Sequence, residues 1–145
     1  MAVWNPGLER WLDALRGLLL SFPIALFTIA VFTDITYLRT AEVQWTNFSA
    51  WLITGALVFG GLAAAWALIS LLLRFRRGDR NPRLVFFALL AVMWVLGLVN
   101  AFKHSQDAWS SVGAFGLILS ILCSLLAMAA GVMAFSGLHT REIAR

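Results

Sequence analysis

Charge is scarce in this chain. Asp, Glu, Lys and Arg make up 12% of its 145 residues, against 61% hydrophobic residues. A soluble domain is about a quarter charged and about half apolar. This composition has too little polar side chain to cover a water-facing surface. It excludes a soluble globular domain and points to an integral membrane protein. Cysteine is scarcer still. Cys123 stands alone in an apolar run, which excludes an internal disulfide and a thiolate metal cluster and reads as a small buried hydrophobe. There are two histidines, His104 and His139. Chain topology puts them at opposite ends of a bundle, where they cannot share one haem, and the mid-span Met93 and Met128 do not reach histidine depth. No P-loop, Rossmann glycine fingerprint or G-x-S-x-G elbow occurs, so no phosphate-cradling or nucleophile motif is present. The expectation is no resident cofactor, no metal site, no catalytic residue and no nucleic-acid partner.

What is present is four apolar runs. A hydrocarbon core of about 30 Å takes about 20 helical residues. Runs at residues 17–38, 48–73, 84–102 and 112–138 meet that length. They are too long for barrel strands of about 10 alternating residues. The fold class expected is all-α: a single domain over 1–145, a polytopic bundle of four transmembrane helices. The connections are short and polar, and the second, RFRRGDRNPR, holds Arg74, Arg76, Arg77, Arg80 and Arg83. With this arginine loop in the cytoplasm, nine of the eleven Lys and Arg residues lie inside, and only Arg39 and Lys103 outside. The positive-inside rule then selects N-in and C-in. The arginines read as topology signals and lipid headgroup contacts.

Before the first span, NPGLERWLDALR reads as a short helix over about residues 5–16. Asn5 caps it and Pro6 suits its first turn. Leu8, Trp11, Leu12 and Leu15 share one face, which suits a helix lying in the inner interface.

The first span carries the most informative pattern, SFPIALFTIAVFTD, with Pro23 and Asp34 eleven positions apart. At about 100° per residue, Pro23, Phe27, Ala30 and Asp34 fall on one face. Pro23 removes a backbone donor, frees the Leu19 carbonyl and marks a helix kink. Freed and charged groups are not left in lipid, so this face points into the bundle. With a rise of about 1.5 Å per residue, Asp34 lies about 9 Å outward of its span's middle and Asn100 about 10 Å. Thr54 falls near the same level, and Gly97, Asn100 and His104 recur on one side of the third span. The candidate site is therefore a polar layer of Asp34, Asn100, Thr54 and His104. Asp34 in it either pairs structurally, with Asn100, Lys103 or Arg39, or binds a ligand, proton or ion. Spans one and three are expected to pack through Phe27, Ala30 and Asp34 against Met93, Gly97 and Asn100. Small residues at spacing four (Gly60 and Ala64, Gly61 and Ala65, Ser120 and Ser124, Ala127 and Gly131) are helix-packing chemistry.

The run SFPIALFTIAVFTDITYLRT and the following SAWLITGALVFGGLAAA also resemble a bacterial family of predicted membrane proteins, DUF2231. The positions carrying the likeness are Phe22, Pro23, Ile24, Ala25, Leu26, Asp34, Gly55, Gly60, Ala63 and Ala64, with Asn100 closing the third span. Where relatives often place histidine, this chain has Arg16, Gly17 and Ser21, and a frequent acid late in the second span is Ser70. The resemblance implies a small four-helix bacterial membrane protein, so the localisation expected is the bacterial cytoplasmic (inner) membrane, and it brings no settled activity; the departures at Arg16, Gly17 and Ser21 leave this chain without the histidines on which cofactor binding in relatives would depend.

Three functions fit these readings. The first is a non-catalytic membrane component, a partner-binding subunit or anchor. The second is a small transporter or channel using Asp34 in a layer with Asn100. The third is a redox subunit docking a quinone near Asp34, His104 and Trp51 or Trp109. The partners expected are the lipid bilayer and a membrane or periplasmic protein or a second copy of the chain.

Overall fold

The computed structural model describes residues 6–73, 80–106 and 113–143, with the side chains at 6, 9, 80 and 137–143 left aside. These residues form four helices: α1 (Pro6–Thr40), α2 (Val43–Leu73), α3 (Arg80–His104) and α4 (Ala114–Ile143). Each contains a stretch long and apolar enough to cross a membrane. Helix is the form such sequences must take, because a backbone in hydrocarbon has to satisfy its own hydrogen bonds. Of the arginine loop, residues 74–79 lie outside the described residues, so Arg74, Arg76 and Arg77 are not placed; Arg80 and Arg83 open α3.

The expected interfacial helix is not a separate element. α1 runs unbroken from Pro6, because no residue between Leu8 and Phe22 stops a helix and Gly17 alone only weakens one. Its first turns still expose Leu8, Trp11, Leu12 and Leu15. α1 also continues through Pro23. The expected face is buried throughout: Pro23, Phe27, Ala30 and Asp34 have essentially no exposed surface. At its other end α1 stops on Ala41, whose φ of 56° is left-handed. The Ala41 amide donates to the Tyr37 carbonyl at 2.8 Å, a one-bond helix cap, and α2 begins two residues later.

Short connections make consecutive helices antiparallel neighbours. α1 packs on α2 and α4, and α3 on α2 and α4. The expected packing of spans one and three is met in part: the Phe27 ring lies against Gly97, but the two backbones do not approach each other. Among the described residues no Cα of α1 comes within 8 Å of one of α3, because α3 sits across the diagonal. Only side chains bridge that diagonal, and two bridges fix its register. The Arg16 guanidinium lies 4.4 Å from the centre of the Phe86 ring, and His104 reaches Asp34. Eighteen residues separate the two bridges on each helix, about 27 Å at the helical rise. α1 and α3 therefore run parallel and level. That spacing nearly matches the thickness of the hydrocarbon core, so the Arg16 and Asp34 levels lie near its two edges.

The half nearer Arg16 is apolar inside: Leu20, Phe86, Leu90, Ala127 and Ala130 are buried there, and Phe27, Met93 and Cys123 close the middle. The Cys123 thiol reaches only the Met93 carbonyl, at 3.7 Å. Close approach is decided by glycine. A Cβ on Gly97 would stand 2.9 Å from Phe27 Cζ and 3.0 Å from Leu57 Cδ2; one on Gly131 would stand 2.7 Å from Ile24 Cδ1.

Candidate functional site

Polar side chains gather at the Asp34 end. On α1, Asp34 closes the proline face. On α3, Asn100 and His104 stand one turn apart, and both are buried. On α4, Ser120 is buried at the same level. Among the described residues these four side chains form one connected cluster.

His104 Nδ1 lies 2.9 Å from the Asn100 carbonyl oxygen. A carbonyl only accepts, so Nδ1 carries a hydrogen and donates it. His104 Nε2 lies 2.9 Å from Asp34 Oδ1. With Nδ1 already protonated, that contact needs one more hydrogen between nitrogen and carboxylate. It belongs either to the imidazolium beside a carboxylate or to the acid beside a neutral imidazole. Both forms carry no net charge, which is what an interior of low dielectric tolerates. Ser120 Oγ donates to Asp34 Oδ2 at 2.6 Å and accepts from Asn100 Nδ2 at 2.8 Å. The serine hydrogen is thus spent on the carboxylate. Ser120 does not contact the imidazole, so the trio is not the nucleophile, base and orienting acid arrangement of acyl transfer.

A second tier surrounds this cluster. Thr33, beside Asp34, gives its hydroxyl hydrogen to the Ala30 carbonyl at 2.9 Å, so Ser49 of α2 donates to Thr33 Oγ1 across 2.6 Å. By the same logic Thr28 donates to the Ile24 carbonyl, and Ser124 of α4 donates to Thr28 at 3.0 Å. All four helices are thereby linked by side-chain hydrogen bonds in one half of the bundle. Among the described residues, two buried polar atoms have no hydrogen-bond partner: Asn100 Oδ1 and Thr46 Oγ1.

The structure brings together Asp34, Asn100 and His104 of the expected layer. Asp34 and Asn100 are joined through Ser120 rather than directly. Thr54 stands apart: it is exposed, and its hydroxyl donates to the Ala50 carbonyl of its own helix at 2.8 Å. Neither alternative cation pairs with Asp34. Arg39 is exposed, and Lys103 donates to Gln106 Oε1 at 3.1 Å with its Nζ 6.0 Å from the Phe115 ring centre. For the quinone reading, both ring nitrogens of His104 are engaged, Trp51 lies on the outer side of α2 in a groove with Gln44, Trp45, Asn47 and Phe48, and Trp109 is outside the described residues. Sequence reasoning missed Ser120, Ser49 and Thr33. The available signal was that Ser120 begins a small-residue pair at the depth of Asp34, near the start of its span.

A family model described as "Predicted membrane protein (DUF2231)" matches residues 13–140. No curated protein and no solved structure matches the chain.

Proposed function

Because the chain belongs to the DUF2231 family of predicted membrane proteins, we propose a membrane activity for it: a small transporter-type protein that works through the proton shared by Asp34 and His104. The observation that carries this reading is a fully buried acid and imidazole in contact within a bundle of four apolar spans. Stability alone does not call for such a pair. A buried ion pair is often replaceable by apolar residues at no loss, and an interhelical hydrogen bond in a membrane contributes only about 0.6 kcal/mol. Ionisable residues within spans are characteristically parts of proton and ion pathways. The pair lies near one edge of the hydrocarbon, and the apolar half beyond Phe27 and Met93 separates it from the other. In this closed form it exchanges protons with one side only, and passage across requires the apolar half to part. With the arginine loop inside, in a bacterial cytoplasmic membrane, the exchanging side is the periplasmic one. Liposomes containing the chain and an internal pH dye test this. Under an imposed proton gradient they lose it faster than protein-free liposomes; Asp34→Asn removes the difference and Thr54→Val does not. Wild-type liposomes that behave like empty ones refute the reading.

A second reading, the non-catalytic subunit or anchor, is supported by the cross-links among all four helices and the tight glycine contacts, which make a rigid module. Native mass spectrometry from mild detergent tests it. A fixed stoichiometry with a partner or with a second copy supports it, and a strictly monomeric chain counts against it.

A further inference from the structure

The apolar half of the bundle has one weakened wall, the inner part of α1. Pro23 has no N–H, so the Leu19 carbonyl lacks the donor that a regular helix would supply. Close by, the Ser21 hydroxyl donates to the Leu18 carbonyl at 2.7 Å, a back-bond that bends helices. Gly17 stands a further turn back in the same helix and weakens it again. Helices bend where their backbone ladder is interrupted in this way. The glycines of the other helices act differently. Gly60, Gly97 and Gly131 keep their N–H groups, and a Cβ on each would stand no more than 2.9 Å from a neighbour, so they serve close packing.

The two sides of Pro23 are fastened differently. On the outer side α1 is held by directional bonds: Thr28 to Ser124, Thr33 to Ser49, and Asp34 to His104 and Ser120. On the inner side Leu20 packs in the apolar core, and Arg16 crosses the diagonal, its guanidinium 4.4 Å from the centre of the Phe86 ring. Arg16 is half-buried and Phe86 buried. Cation and ring therefore meet partly out of water, where such a contact is stronger than on an open surface.

We propose that residues 6–19 of α1 are a gate that swings about Pro23, and that Arg16 resting on Phe86 is the latch that holds it shut. The gate's purpose, though not its geometry, rests on the reading of Asp34 and His104 as a proton-binding pair. Latched, the bundle keeps about 27 Å of helix between the Arg16 and Asp34 levels. Swung outward, the inner part of α1 uncovers Leu20, Phe86 and Leu90 and leaves the layer of Phe27 and Met93 in place. Phe27 precedes Asp34 by seven residues, about 10 Å along the helix. Opening thus shortens the apolar barrier to well under half.

The test uses the full chain in nanodiscs, in a Cys123→Ala background, with paired spin labels read by double electron–electron resonance. One pair, at Leu12→Cys and Val85→Cys, reports the inner ends of α1 and α3. The other, at Phe32→Cys and Phe102→Cys, reports the outer ends. All four positions are exposed. A cation–π contact of this kind corresponds to about a five- to thirtyfold change in an equilibrium. Phe86→Leu and Arg16→Met each raise the ratio of long to short inner distances by that factor and leave the outer pair unchanged. Pro23→Ala gives the Leu19 carbonyl its donor back and, combined with Phe86→Leu, returns the ratio to the wild-type value or below. An inner pair that stays as in wild type in both latch variants overturns the latch. Long distances that persist with Pro23→Ala overturn the hinge. An outer pair that lengthens together with the inner one means a loosened bundle and overturns the gate. In the liposome assay the latch variants lose the proton gradient faster than wild type. If the distances respond as expected while wild type and latch variants leak no faster than empty liposomes, the gate stands and the proton reading fails.

Discussion

Asp34→Asn and Asp34→Ala separate the hydrogen-bonding role of Asp34 from its charge. The Asn100 carbonyl holds a hydrogen on His104 Nδ1, so a neutral His104 offers a lone pair at Nε2. An amide introduced at position 34 donates to that lone pair with its nitrogen and accepts from Ser120 with its oxygen. Both contacts survive, and only the exchangeable proton is gone. Asp34→Asn is therefore expected to cost less than about 1 kcal/mol. Alanine removes both acceptors, at Nε2 and at Ser120 Oγ. Two interhelical bonds at about 0.6 kcal/mol each, and at most about 1.7, set a loss of roughly 1–3 kcal/mol. Some cost for the space left behind adds to it. Reversible unfolding in bicelles, by steric trapping or by added SDS, measures both variants, with Thr54→Val on the exposed side as a neutral control. If Asp34→Asn loses as much as Asp34→Ala, the shared-proton geometry is wrong. If Asp34→Ala loses nothing, the cluster does not form.

Glycine substitutions test the packing. Gly97→Ala drives a methyl against the buried Phe27 ring and Leu57 at once, and overpacking of this kind costs about 1–3 kcal/mol. Gly131→Ala crowds the flexible tip of Ile24 and meets Phe135 at ordinary contact distance, so its loss in the same unfolding assay is the smaller of the two; the reverse order contradicts the helix register. Reporter tags test the orientation: fused at either terminus they are expected to remain on the cytoplasmic side, with a cysteine placed at Glu42 labelled from outside.

The sequence made the spans legible because length and apolarity alone define them. Depth was also legible, since the helical rise places Asp34, Asn100 and His104 near one level without any knowledge of neighbours. Direction around a helix was not. The buried stripe of α2 runs Thr46, Ser49, Ile53, Ala56, Gly60 and Ala63, and Thr54 is one step of about 100° off it. In a soluble helix polar residues would have marked the outer side. Here the lipid-facing side is as apolar as the core, exposing Trp51, Val58 and Leu62, so periodicity did not separate inside from outside. The same uniformity hid Ser120, which reads as a small packing residue until Asp34 is set opposite it. The diagonal placement of α3 follows from short links that make neighbours of consecutive helices. The proline face and third span meet only through long side chains.

Among the described residues, the side-chain hydrogen bonds that join hydroxyl, amide, imidazole and carboxylate groups of different helices gather towards the Asp34 level. Directional bonds hold an angle and a register, whereas methyl and ring contacts slide and rotate at little cost. Rearrangement thus has a built-in fulcrum at the Asp34 level, about which the opposite ends of the four helices swing. A small tilt there is magnified into the widest gap some 27 Å away, at the level of Arg16.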